Sequence, residues 1–202
     1  MRGTLERLQA NWVYGGFLAG LVLLAMTSVF TKTWPFSEKL VYLSLPFYML
    51  HQLEEHDADR FRRFVNYVIG RGHDVLTIRA VFIINVAGVW GVVALSLWLM
   101  RSIAPGWGLI AVYLLLINAA LHVAQGLVLR LYNPGLATAV ALFIPLGVYA
   151  IYGLWPLTTP LQHGVSILLV LALHGAIALR VRQRLQRFEA AAASSNDFPS
   201  QT

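Results

Sequence analysis

Four side chains within one short stretch are suited to chemistry. His51, Glu54, Glu55 and His56 sit in LPFYMLHQLEEHDADRFRR, residues 45–63, where an apolar run gives way to a charged one. On a helix turning about 100° per residue, His51, Glu54 and Glu55 share an arc of about 100°. His56 points away from that arc and is expected nearer the surface. His51 and Glu55 are four residues apart, the spacing at which one helix supplies two ligands to a metal ion. A second set lies downstream. Asn118 and His122 are also one turn apart, and Gln125 follows three residues later. His122 is the candidate third ligand, from a different helix, with His174 or water as the fourth. Glu54 then acts as a base beside a bound water, or as a further ligand. Nitrogen and oxygen donors without sulfur suit zinc or iron, and the chain has no cysteine. A carboxylate-bridged di-iron site of the ferritin type needs four acids, and only Glu54 and Glu55 stand at membrane depth.

Two other chemistries use the same residues. In one, a buried carboxylic acid among Glu54, Glu55 and His51 donates a proton to an apolar substrate such as a sterol or isoprenoid, and a neighbour removes one elsewhere, as in an isomerase. Adjacent glutamates push their pKa values apart, which separates acid from base. In the other, the carboxylates relay protons or cations in a transporter or lipid-binding scaffold. No inverted repeat supports transport. The plainer readings are a helix end whose glutamates pair with Arg60, Arg62 or Arg63, His122 and Asn118 as interhelical hydrogen-bonding groups, and His174 as a satisfied interior histidine. Asn85, Asn118, Gln125 and Tyr132 are the candidate substrate contacts. Asn85 also has a structural reading, and Tyr132-Asn133-Pro134-Gly135 reads first as a turn.

The elements that must position these groups are membrane helices. Of 202 residues 58% are hydrophobic and 12% charged, which is a membrane composition. Residues 8–31, 80–100 and 102–129 contain no Asp, Glu, Lys or Arg, and residues 131–179 form a 49-residue uncharged run. That run breaks at Trp155–Pro160, where two prolines favour a turn. Five helices follow, near 11–31, 79–100, 107–130, 136–154 and 162–181. A sixth, near 38–58, has an uncharged core of only 14 residues, Leu40–Leu53. It spans only if its Glu54–Glu55 end is buried in protein. The expected fold is therefore an all-α integral membrane bundle of six helices, or five plus a half-span. It forms one domain over residues 1–188, with a disordered cytoplasmic tail over 189–202.

Charge sets the side. With six helices and the N-terminus inside, or five and the N-terminus outside, 12 of the 15 Lys and Arg fall in cytoplasmic segments. Both counts place the 60–79 loop and the C-terminus in the cytoplasm of a plasma-membrane protein. The net charge of +6 marks segment ends and forms no stripe for nucleic acid. The expected partners are the bilayer and an amphiphilic small-molecule substrate. Gly16 and Gly20 form a GxxxG pair, read as packing within the bundle, with a homodimer as the alternative. Counting rise per residue from the arginines puts Asn85, His174 and Glu55 roughly 8–9 Å deep and His122 and His51 about 12–14 Å deep, all from the cytoplasmic side. His163 falls near the opposite interface, with Trp34 and Trp155 as interfacial anchors.

The chain resembles the HXXEE family of small multispanning proteins, through His51-Gln52-Leu53-Glu54-Glu55, Asn118-Ala-Ala-Leu-His122, and Tyr132-Asn133-Pro134-Gly135 followed by a helix containing Pro145. The resemblance covers roughly residues 10–180. It implies a membrane fold and an enzymatic role centred on these residues, with no assigned reaction. Where relatives place an aromatic and then Pro-Gly after the second glutamate, this chain has His56-Asp57-Ala58-Asp59.

Overall fold

The computed structural model describes residues 3–196, and no strand occurs among them. Six long helices account for most of the chain: α1 (Thr4–Ala25), α2 (Phe36–His56), α3 (Ile78–Ser102), α4 (Pro105–Leu129), α5 (Leu136–Leu157) and α6 (Pro160–Asn196). Five of them, all but α2, are long and apolar enough to cross a membrane. The tail expected to be disordered from Glu189 is helical as far as Asn196, as an extension of α6, and residues 197–202 lie outside the described residues. A run of alanines explains the extension, because alanine is the best helix former.

The short apolar core of α2 is explained by where it sits. Of its 21 residues, 12 are buried, including Tyr48, His51, Gln52 and Glu55. At about 1.5 Å per residue it is roughly 30 Å long, so it runs the depth of the bundle with protein rather than lipid around it. It packs on α1, α3, α4 and α5. The main core forms where α2 meets α4 and α5, around Val41, Tyr48, Leu109, Leu115, Phe143 and Leu154. Gly16 and Gly20 are used within this bundle. A Cβ at Gly16 would fall 2.6 Å from the Trp90 ring, and one at Gly20 would fall 2.8 Å from Met49 Cβ. The GxxxG pair thus brings α1 close to α2 and α3.

The loop over residues 57–77 is compact, and it is helical over Arg60–Phe64 and Val65–Ile69. The Arg62 guanidinium bridges Asp59 at 2.6 Å and Asp74 at 2.9 Å. The Asn66 side chain accepts from Leu76 N at 2.8 Å and donates to Leu76 O at 3.1 Å. A second apolar cluster, Val65, Val75, Leu76 and Val81, packs there against Trp12, Phe61, Leu185 and Phe188. This cluster fixes the loop against α6 and holds Phe61 beside the end of α2. The Thr77 hydroxyl then caps α3 by accepting from Ala80 N.

Wide π-helical turns interrupt two long helices. One spans Ile83–Trp90 in α3 and the other Ala139–Phe143 in α5. Such turns often occur where a helix carries functional groups. The first holds Asn85 and Trp90, and the second begins one residue after Thr138.

Candidate metal centre

Three elements bring the group together. α2 contributes His51 and Glu55 from consecutive turns, α4 contributes His122, and the 131–138 segment closes over them. His51 is 0% exposed, His122 5% and Glu55 6%. Glu55 Oε2 lies 3.5 Å from His51 Nε2, and Glu55 Oε1 lies 3.6 Å from His122 Nε2. One ligand atom from each residue falls within 4.8 Å of the other two. Donors on a sphere about 2 Å from an ion lie roughly 3–4 Å apart, so this buried group could hold a metal ion.

The orientation of both rings follows from the remaining hydrogen bonds. Thr138 has one hydroxyl proton, and it goes to Glu54 Oε2. Thr138 Oγ1 lies 2.8 Å from His51 Nδ1, so it accepts there and His51 Nδ1 carries the proton. Asn133 donates its amide to the His122 carbonyl at 2.9 Å, which fixes which end is oxygen. That oxygen is 2.6 Å from His122 Nδ1 and accepts its proton. In its neutral form each imidazole then turns its unprotonated Nε2 toward the Glu55 carboxylate. His51 Nε2 is buried with no hydrogen-bond partner.

His163 shows what a satisfied buried histidine looks like in this protein. Tyr113 OH lies 2.7 Å from its Nδ1 and Thr158 Oγ1 2.9 Å from its Nε2. It is 9% exposed and sits within the α4–α6 contact.

Glu54 serves a different purpose from Glu55. It accepts from Tyr132 OH, from the Thr138 hydroxyl, from Ala137 N at 3.1 Å and from Thr138 N at 2.7 Å. These backbone groups are two of the unpaired donors at the start of α5, so Glu54 caps that helix across the bundle. Four donors occupy its two oxygens, and it stands outside the metal-competent group. The Tyr132 hydroxyl, which lies between helices, has its pKa pushed up to about 12, first by burial and then by its bond to the Glu54 carboxylate.

Gly135 roofs the site. Its φ is +101°, and a Cβ would lie 2.7 Å from His122 Cε1 and 2.8 Å from His51 Cε1. Only a residue without a side chain lets the turn sit on both rings.

The remaining sequence candidates are placed as follows. His174 is half-buried on α6, its Nδ1 is 2.9 Å from the Val170 carbonyl one turn back, and it is not in the group. Its own helix supplies its partner. Asn85 is buried and accepts from Gln52 at 2.9 Å, while Trp90 donates to Gln52 at 2.6 Å. It joins α3 to α2 beside the site rather than in it. Asn118 and Gln125 are half-buried on α4, and the Asn118 carbonyl oxygen is buried without a partner. His56, expected nearer the surface, is 6% exposed, because α2 ends against Trp12 and Phe61. Asn133, Gly135 and Thr138 complete the site without being sequence candidates. Asn133-Pro134-Gly135 reads as a turn in the sequence, and nothing there pairs Thr138 with a residue 87 positions earlier.

No curated protein and no solved structure matches the chain. A family model described as "Protein of unknown function with HXXEE motif" matches residues 42–150, more than half of the chain and all of the site. With the motif's histidine and second glutamate converging on His122 inside that span, the chain belongs to the HXXEE-motif family.

Proposed function

We propose that His51, Glu55 and His122 hold a divalent metal ion, zinc or iron, in a membrane-embedded enzyme that acts on an amphiphilic substrate. One observation carries this reading. Two imidazole Nε2 atoms and a carboxylate face one another in a buried space, at 3.5 and 3.6 Å. With both imidazoles neutral the three groups are all acceptors and repel, and a cation at their centre removes the repulsion. Two nitrogens and one oxygen suit zinc or iron and leave coordination positions open. A metal bound there would activate water or polarise a substrate oxygen. Thr138 and Asn133 would hold the imidazoles in the metal-binding tautomer, and Glu54 would hold Thr138 and the start of α5. The burial of the group below the ends of apolar helices supports an amphiphile as substrate, with the site in the cytoplasmic leaflet of the plasma membrane.

Metal analysis of the purified full chain tests the reading. The expected result is about one equivalent of transition metal in the wild type, lost in Glu55→Gln and in His122→Gln. A folded wild type with no metal, and no uptake on adding zinc(II) or iron(II), would overturn it in favour of proton transfer by the same residues.

A further inference from the structure

We infer that His56 is the residue that positions the Glu55 carboxylate for the ion, an inference that rests on the metal reading of His51, Glu55 and His122. Each of the two imidazoles has a partner on its far side: Thr138 for His51 and Asn133 for His122. Glu55, on a longer and freer side chain, needs one more than either. His56 Nε2 lies 3.1 Å from Glu55 Oε2, nearer than either of the other imidazoles. Both His56 ring nitrogens are buried and neither has a hydrogen-bond partner, so the Glu55 carboxylate at 3.1 Å is the polar group its Nε2 approaches. A buried polar ring without partners is unfavourable, so this contact explains why a histidine sits there.

The ring is also held in place. Trp12 of α1 packs on it at 5.2 Å between centroids, tilted by 58°, and Phe61 of the 57–77 loop meets it edge-on at 5.6 Å. The walls are apolar, and the carboxylate meets the polar edge. His56 follows Glu55 directly in the chain, but α2 ends at His56, whose ψ of −2° departs from a regular helical value. That ending, with the 57–77 loop folded back, lets two consecutive residues turn their polar atoms toward each other. His56 stands outside the group whose ligand atoms are all mutually within 4.8 Å. It therefore acts on Glu55 rather than as a ligand.

The test is titration of the full chain in detergent with zinc(II) and with cobalt(II), the latter followed by its visible spectrum. His56→Phe keeps an aromatic ring and removes the donor, and should bind each metal about 10–100-fold more weakly. His56→Gln keeps an N–H within reach and should stay within about threefold of wild type. X-ray absorption of the zinc form should count two imidazoles in the wild type and in His56→Gln. Affinity in His56→Phe equal to wild type overturns the inference, and so does a third imidazole in the wild type. If His56→Phe does not yield folded protein, His56→Met against His56→Gln, matched in length, decides: equal affinities overturn it, and a loss only in Met supports it. A wild type that takes up neither metal removes the underlying metal reading instead.

Discussion

At the scale of single residues, Gly135 and Thr138 are the sharpest tests, because neither is a ligand. Gly135→Ala puts a methyl group within 3 Å of both rings at a positive φ. We expect it to cost about 1–3 kcal/mol of stability and to abolish stoichiometric metal, checked by thermal unfolding and metal analysis. Thr138→Val keeps the shape and removes the oxygen that accepts from His51 Nδ1. Metal affinity should fall about 10–100-fold, with Thr138→Ser close to wild type, as read by competition with a chelating dye. Tyr132 provides a pH test. Its pKa is raised from 10.0 to about 12, so its bond to Glu54 adds stability below pH 10 and loses it as pH rises towards 12. The difference between wild type and Tyr132→Phe should show one tyrosine ionising near pH 12 by ultraviolet titration. The motif made His51, Glu54, Glu55 and His122 legible, since types and spacing are visible in a sequence. The residues that aim them were not, because Thr138 and Asn133 reach the rings only through the turn of a folded helix pair.

At the scale of elements, the two glutamates of the motif separate into one that faces His51 and His122 and one that holds a helix. Glu55→Gln should therefore lose metal, while Glu54→Gln should unsettle the start of α5 first. Losing a charged acceptor at two N-terminal backbone donors should cost about 1–2 kcal/mol, measured by thermal unfolding of the metal-free protein. If Glu54→Gln melts as wild type does, the cap contributes nothing. Helix positions were readable from uncharged runs, and α3 to α5 begin and end within a few residues of expectation. The burial of α2 was a condition in the sequence, not a result: a 14-residue apolar core cannot say what surrounds it. The helical continuation past Glu189 was masked by a small, polar composition that reads as tail but contains good helix formers.

At the scale of the molecule, the 57–77 loop and the end of α6 form one face. Arg71 pairs with Glu189 at 2.7 Å, and His73 stacks on Phe188 at 5.0 Å. The chain has no cysteine, so single cysteines at positions 71 and 189 can be labelled without background. Both should react from the cytoplasmic side and be silent to an impermeant reagent outside, as the arginine distribution requires. Labelling of position 71 from outside would invert the site's leaflet. The burial of α2 also bears on how the chain is made. An insertion machine that tests segments one at a time meets a helix whose end carries two glutamates, and acidic side chains at depth are rejected by a few kcal/mol. α2 should then be skipped or held at the surface until its neighbours exist. Truncated chains ending before α3 should leave it exposed to a glycosylation or protease tag, and chains extended through α5 should protect it. The His51–Glu55–His122 group would thus be assembled late in biosynthesis, by drawing a reluctant helix into a bundle already formed around its place.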